Sequence, residues 1–241
     1  VAGLSAPQGV GPHEPSQGLS AMALEPTRKT FSYRFFIIFF RVLFKIWFRW
    51  RVHHADRVPA EGGVILASNH TSYLDPVFNC CALDRMLVAL ARESSFDMFL
   101  VGRLLVSWNV IPLDQSGTGR GLKTFFDRVR AGDAVLMYPE GQRSPTGQIQ
   151  APMPGVGLVI LKSTAPVVPV RLFGAFEAYS RHHLIPRPFQ VQIKFGEPLD
   201  FAQLRAEAKQ TKDKERLKAL YQQAATDLLH AIATLEPGPD K

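Results

Sequence analysis

His70 and Asp75 stand five positions apart in Asn69-His70-Thr71-Ser72-Tyr73-Leu74-Asp75-Pro76, and their side chains could do acid–base chemistry. An imidazole ordinarily titrates near ~6.5, so it can take and return a proton at working pH, and a carboxylate partner steadies the cation that forms. On one continuous helix a five-residue step turns the side chain about 140° away, so the two meet only if the chain bends between them. The flanking sequence supplies that bend. Residues 62–68, Gly-Gly-Val-Ile-Leu-Ala-Ser, read as a buried strand introduced by a turn, and Asp75-Pro76 reads as a helix start with proline in its first turn. Standing alone, the pair reads more readily as a loop histidine followed by a helix cap.

A second polar cluster changes that balance. Tyr138-Pro139-Glu140-Gly141-Gln142-Arg143-Ser144 also follows a strand-like apolar run, Ala134-Val135-Leu136-Met137. Two such loops at strand ends point to one site, because ligands of open α/β sheets collect outside the carboxyl ends of the strands. No G-x-S-x-G elbow occurs, so His70 has no protein nucleophile to activate, and its natural target is a hydroxyl brought by the substrate. Gly117-Thr118-Gly119-Arg120-Gly121-Leu122-Lys123-Thr124 invites a nucleotide-binding reading and fails it. A P-loop needs glycine immediately before its lysine, where Leu122 stands, and the dinucleotide fingerprint needs its third glycine at that same position. The segment reads as a turn in which Arg120, near a helix start, can help hold phosphate.

The elements that must position these loops alternate along the chain. Residues 75–83 read as helix, 85–90 as strand, 96–106 as an apolar helix, 109–113 as a short strand and 122–130 as another helix. After the second loop come a helix at 155–162 and a strand at 165–172, whose prolines suggest an edge or entry position. Residues 190–195 alternate with period two, as a half-buried strand does. Asp200 can cap a helix from Phe201, and Leu217, Leu220, Tyr221, Ala224, Leu228 and Ile232 form the apolar face of a last one. The class is therefore α/β: a single domain with a central mixed, largely parallel sheet flanked by helices. It is preceded by an N-terminal amphipathic membrane-interface helix.

That helix is read from residues 31–50, which hold 10 of the chain's 25 aromatic residues and no acid. At about 100° per residue, Arg34, Arg41, Lys45 and Arg49 fall within roughly an 80° stripe, with Phe, Ile, Leu and Trp around the rest. Spanning a bilayer takes about 20 mostly apolar residues, and four interior cations argue instead for lying in the interface. A secretory signal fits poorly, because charge interrupts the apolar region; the competing reading is a helix of the domain core. Residues 1–30, rich in Gly, Pro, Ser and Gln, read as a disordered tail, and Val1 and the internal Met22 are both candidate starts.

With 241 residues and 46% hydrophobic content, the remainder can bury one substantial core. The net charge of +7 favours an anionic partner, and beside so continuous an aromatic surface we read phospholipid headgroups and no nucleic acid. Cys80 and Cys81 are adjacent, which suits neither an ordinary crosslink nor zinc-ligand spacing, so we read a reducing compartment and no metal.

The residues now carry a resemblance. The chain resembles the glycerolipid acyltransferases typified by 1-acylglycerol-3-phosphate acyltransferase, over about residues 50–200. Residues 69–76 match the family's N-H-x-S-x-x-D block, and Val110-Ile111-Pro112-Leu113-Asp114-Gln115 lies where its second block belongs. Tyr138–Ser144 resembles its F-P-E-G-T-R-S block, and Val167-Val168-Pro169-Val170 its proline-containing fourth. The resemblance implies that His70 and Asp75 are catalytic, with His70 taking the proton of an acceptor hydroxyl while Asp75 orients the ring. It places Glu140, Gly141, Arg143 and Ser144 at the acceptor, with the planar fork of Arg143 suited to phosphate. It further implies no bound cofactor, acyl-CoA or acyl-carrier protein as the acyl donor and a lysolipid as the acceptor, most directly 1-acylglycerol-3-phosphate in phospholipid synthesis. The enzyme would sit on the cytoplasmic face of a membrane, monotopic or peripheral. The organisation expected is a tail at 1–30, an anchoring helix at 31–51, an acyltransferase domain at 52–236 and a flexible terminus at 237–241.

Two departures bear on the acceptor. The second block usually ends in arginine and here ends in Gln115, and a commonly basic position falls on Met153. Arg103, Arg120 and Arg171 are the candidates to compensate, or the acceptor is another lysolipid. A noncatalytic lipid-binding or scaffolding protein on the same fold is the competing reading.

Overall fold

The computed structural model describes residues 31–92, 110–113 and 119–240. In chain order they form α1 (Phe31–Trp47), β1 (Arg51–His53), a 3-10 turn (Ala55–Arg57), β2 (Val64–Ser68), α2 (Asp75–Ala82), β3 (Leu87–Arg92) and β4 (Ile111–Leu113). There follow α3 (Arg120–Arg130), β5 (Ala134–Met137), α4 (Val156–Lys162), β6 (Val167–Phe173), α5 (Ala175–Tyr179), β7 (Gln192–Phe195), α6 (Ala202–Gln210) and α7 (Lys214–Thr234). Among the described residues the sheet has seven strands in the order β1-β7-β6-β2-β5-β3-β4. Every neighbouring pair is parallel except β6 and β7.

The central strand sets the site. β2 pairs with β5 on one side, Leu66 opposite Leu136, and with β6 on the other, Leu66 opposite Val168. The three strands end side by side, so the loops that leave β2 and β5 emerge at one edge of the sheet. All five β2 residues are buried, as expected of a parallel strand covered on both faces. Val64 and Leu66 face a layer containing Phe44, Phe48 and Phe78; Ile65 and Ala67 face Phe125, Ile160, Leu220 and Leu228. On that second face α4 lies hard against α7. A Cβ on Gly157 would come within 1.8 Å of the Tyr221 carbonyl oxygen, so only glycine permits the approach.

Several expectations change. The strand at 165–172 was expected at an edge or with its prolines at the entry; β6 is interior, between β7 and β2, and Pro166 stands at its entry while Pro169 lies within it. Pro169 is tolerated because its carbonyl accepts from Gly196 N, just past the end of β7, and its missing N–H points to that same side, beyond the β6–β7 ladder. The alternation at 190–195 suggested one wet face, but Lys194 is buried and its ammonium lies 2.7 Å from Asp240. Asp240, in the terminus expected to be flexible, also pairs with Arg57. β1 is too short to have been read from the sequence. The tail at 1–30 and the helix expected at 96–106 lie outside the described residues, as do Arg103 and Gln115.

The helix α1 is part of the domain rather than an appendage to it. Tyr33, Phe36, Ile37 and Phe44, with Phe48 and Trp50 beyond its end, join the core cluster of the strands and of α2. Phe44 and Phe48 both contact the Phe78 ring, with centroids 4.3 and 5.4 Å away. The opposite face is bare: Phe31, Phe35, Ile38, Phe39, Val42 and Ile46 are all more than half exposed. The expected stripe of four cations is broken. Arg41 turns inward and donates to the carbonyls of Cys81 and Leu83 at the end of α2 and to Asp84, because those last carbonyls lack helical partners. Arg49 lies past the helix end, with φ of 45°. No helix among the described residues is long and apolar enough to cross a membrane.

Candidate active site

The bend between β2 and α2 brings His70 and Asp75 together. His70 Nδ1 lies 2.9 Å from Asp75 Oδ2, and the same oxygen accepts from the main-chain N–H groups of Thr71 at 2.6 Å and Ser72 at 2.7 Å. A fully buried carboxylate is thus held by three donors. Because an ionised carboxylate only accepts, Nδ1 carries the proton and Nε2 is left as the basic nitrogen. Among the described residues Nε2 makes no hydrogen bond. The ring stacks on Tyr138, centroids 4.0 Å apart and planes 16° from parallel. Burial, and then the nearby Asp75 charge, push the Tyr138 phenol well above its usual range, so the ring covering His70 stays neutral.

The loop is held by hydrogen bonds from both neighbouring strand ends. Asn69 clamps β6, its Nδ2 donating to Leu172 O and its Oδ1 accepting from Leu172 N. Ser72 Oγ donates to Tyr179 O, and Asn79 Nδ2 donates to Asp75 O across the first turn of α2. From the β5 side, Ser144 N donates to His70 O at 2.7 Å, and Glu140 Oε1 accepts from His70 N at 2.9 Å.

The four residues expected at the acceptor therefore divide. Both oxygens of buried Glu140 are engaged, Oε1 by His70 N and Oε2 by Gln150 N, so the carboxyl braces the histidine loop. Burial raises its pKa, and the two amides pull it partly back. Gly141 sits at φ of 68° in a turn closed by its N–H to Tyr138 O. A Cβ there would come within 1.7 Å of Met153 Sδ. Ser144 is buried, and its Oγ accepts from Thr146 N and Gln150 Nε2. Only Arg143 presents a charge. Its guanidinium lies 3.6 Å from the centroid of the Tyr73 ring, and Nη1 is buried without a hydrogen-bond partner among the described residues.

Of the cations named as substitutes for the departures, Arg171 is spent elsewhere, donating to the carbonyls of Ala233 and Leu235 at the end of α7. The Arg120 side chain lies outside the described ones. The structure adds two residues that sequence reasoning missed. Arg181 Nη2 donates to Arg143 O at 2.6 Å, and His182 Nε2 lies 2.9 Å from Pro145 O. Both belong to the β6–β7 connection, and no motif or period marks them. A cavity of about 560 Å³ lined by Leu122, Lys123, Phe126, Lys162 and Tyr221 shares no residue with either loop, so the site is assigned from side-chain geometry.

With this geometry in place, comparison with known proteins is informative. A sequence model of the acyltransferase family matches residues 49–172, a span that contains both loops. The 1-acyl-sn-glycerol-3-phosphate acyltransferase of Cocos nucifera is 26% identical over 139 residues, covering 56% of this chain and 45% of that protein. The Bacillus subtilis enzyme of the same name is 25% identical over 175 residues, covering 70% of this chain and 81% of that one. The match spans about half the length of the plant relatives from Cocos nucifera and Limnanthes alba. The crystal structure of the 1-acyl-sn-glycerophosphate acyltransferase PlsC from Thermotoga maritima superposes with a TM-score of 0.63 at 19% identity, covering 85% of this chain and 81% of that one.

Proposed function

Since the chain belongs to the acyltransferase family, we propose that it moves a fatty acyl group from acyl-CoA or acyl-carrier protein to the free hydroxyl of a lysolipid, first among them 1-acylglycerol-3-phosphate. The observation that carries this reading is the His70–Asp75 pair, which leaves Nε2 as a free base beside the strand ends. In the proposed step Nε2 takes the hydroxyl proton as the oxygen attacks the thioester carbonyl carbon. The tetrahedral intermediate then expels the thiolate, which takes the proton back from the imidazolium. Asp75 stays ionised and stabilises that cation, and general-base help of this kind is worth roughly 10²–10⁴-fold. Arg143, whose Nη1 has no partner among the described residues, is the cation we assign to an acceptor phosphate.

The bare face of α1 supports attachment to a bilayer. Its apolar row is flanked by the exposed cations Arg34 and Lys45, each worth about 1 kcal/mol beside an anionic leaflet. A long-chain acceptor can then reach His70 without crossing water. Met153, packed over Gly141 at a position the family resemblance leads one to expect basic, favours a second reading in which the acceptor is a lysolipid other than lysophosphatidate. The test pairs labelled acyl-CoA and acyl-carrier protein with a panel of lysolipids in mixed vesicles. We expect transfer that disappears in His70→Ala while the fold is retained. No transfer to any acceptor refutes the proposal and leaves a noncatalytic lipid-binding protein, and equal transfer by the variant refutes His70 as the base.

A further inference from the structure

We infer that the β6–β7 connection, residues 180–189, is a second membrane-contacting element that enters the bilayer at Leu184 and Ile185 beside the catalytic loop. This rests on the acyltransferase reading and deepens it. Leu184 is 97% exposed and Ile185 73%, adjacent and apolar, at the tip of a loop fixed at both ends. At one end Arg181 and His182 hook onto Arg143 O and Pro145 O, tying the tip to the residue placed for the acceptor headgroup. At the other, Arg187 N donates to Ala178 O and Val191 N to Phe48 O, the residue following α1. Half-exposed Phe189 therefore lies at the same end of the sheet as half-exposed Trp47.

Charge selects the partner. Residues 178–196 contain Arg181, Arg187 and two histidines around the tip and no acid. Two apolar side chains flanked by Arg181 and Arg187 suit an anionic lipid surface, where the apolar pair enters the acyl region and the guanidinium groups stay at the headgroups. Pro186 and Pro188 limit the conformations of the loop, so little ordering is lost on insertion.

The full chain carrying Leu184→Cys is labelled there with an environment-sensitive fluorophore, since Cys80 and Cys81 have raised pKa values that keep them unreactive. Vesicles of phosphatidylcholine with phosphatidylglycerol should shift the emission to the blue, and pure phosphatidylcholine should do so less. Leu184→Gln with Ile185→Gln should weaken sedimentation with the mixed vesicles by about tenfold or more, since two exposed apolar side chains are removed from the contact. An unshifted label on a protein that still pellets with vesicles overturns the inference and leaves acyl transfer intact. A shift caused by acyl-carrier protein instead of vesicles overturns it in favour of a protein-docking loop. Loss of acyl transfer in the unmodified chain would instead strike the functional reading and leave the label result standing.

Discussion

Removing Asp75 should damage fold and chemistry by separable amounts. Its Oδ2 accepts from Thr71 N, Ser72 N and His70 Nδ1, and the side chain is fully buried. Asp75→Ala strands two main-chain N–H groups, each costing about 1–3 kcal/mol, so stability should fall by roughly 2–6 kcal/mol. Asp75→Asn keeps an acceptor oxygen for those amides but places an NH₂ where Oδ1 has no partner, for about 1–3 kcal/mol. His70→Ala loses chiefly the stack on Tyr138, about 0.5–1.5 kcal/mol. In turnover, Asp75→Asn and His70→Ala should both fall by roughly 10²–10⁴-fold, the first because the imidazolium loses its counter-ion and the second because the base is gone. Urea titrations give the stabilities, and acyl transfer to lysolipid gives the rates. Asp75→Asn with wild-type turnover, or Asp75→Ala as stable as His70→Ala, would refute the reasoning.

Other consequences can be measured on the same protein. Gly141→Ala should cost about 1–2 kcal/mol in a thermal melt from its left-handed φ, and Met153→Ala should recover only the part due to side-chain contact. Burial pushes the Cys80 thiol up to about 12 and Cys81 further still, so iodoacetamide at pH 8 should label neither cysteine in the native protein and both in urea; rapid native labelling would contradict the packing. Hydrogen bonds from Lys194 and then Arg57 hold the Asp240 carboxyl down to about 2, below its ordinary value near ~3.9. Its contribution to stability is present above the ordinary value and is lost as pH falls through about 2. The melting difference between the native chain and Asp240→Asn should therefore close over that window, and a pH-independent difference would exclude the latch. Finally, deleting residues 1–51 should expose the core and yield aggregated protein, because Phe44, Phe48 and Trp50 are buried. Replacing Phe35, Ile38, Val42 and Ile46 by Gln should release a folded protein from anionic vesicles, and unchanged sedimentation would show that α1 is not the contact.

What the sequence made legible follows from range. His70, Asp75 and the start of α2 lie within one loop, so residue type, proline placement and strand periodicity showed that the chain could bend to bring base and carboxylate together, and the second loop tipped the reading toward a site. The pairing of that loop with Tyr138–Ser144 was legible only as two strand ends, and the register of β2 against β5 and β6 turned it into contact. The roles of Glu140 and Ser144 were not legible. Whether a carboxylate faces a ligand or a neighbouring amide depends on where residues 70 and 150 lie, and nothing local to Glu140 carries that. Arg181 and His182 were missed for the same reason, since their partners are 38 and 37 positions away.

The helix α1 shows a different limit. A helix apolar around most of its circumference satisfies a bilayer and a protein core equally well, so composition offered a choice between them. Tertiary structure divides the cylinder: Tyr33, Phe36, Ile37 and Phe44 go inward, and Phe31, Phe35, Ile38, Val42 and Ile46 remain outside. Arg41, read as one of four surface cations, closes the end of α2, a task visible only once the two helices are packed. Because the same helix fills the core beside Phe78, three residues along α2 from Asp75, anything that pulls on its outer face is transmitted through packed side chains to the element that starts at the carboxylate. Attachment through α1 would thus hold the histidine loop at a fixed height above the lipid, which a flexible tether could not do.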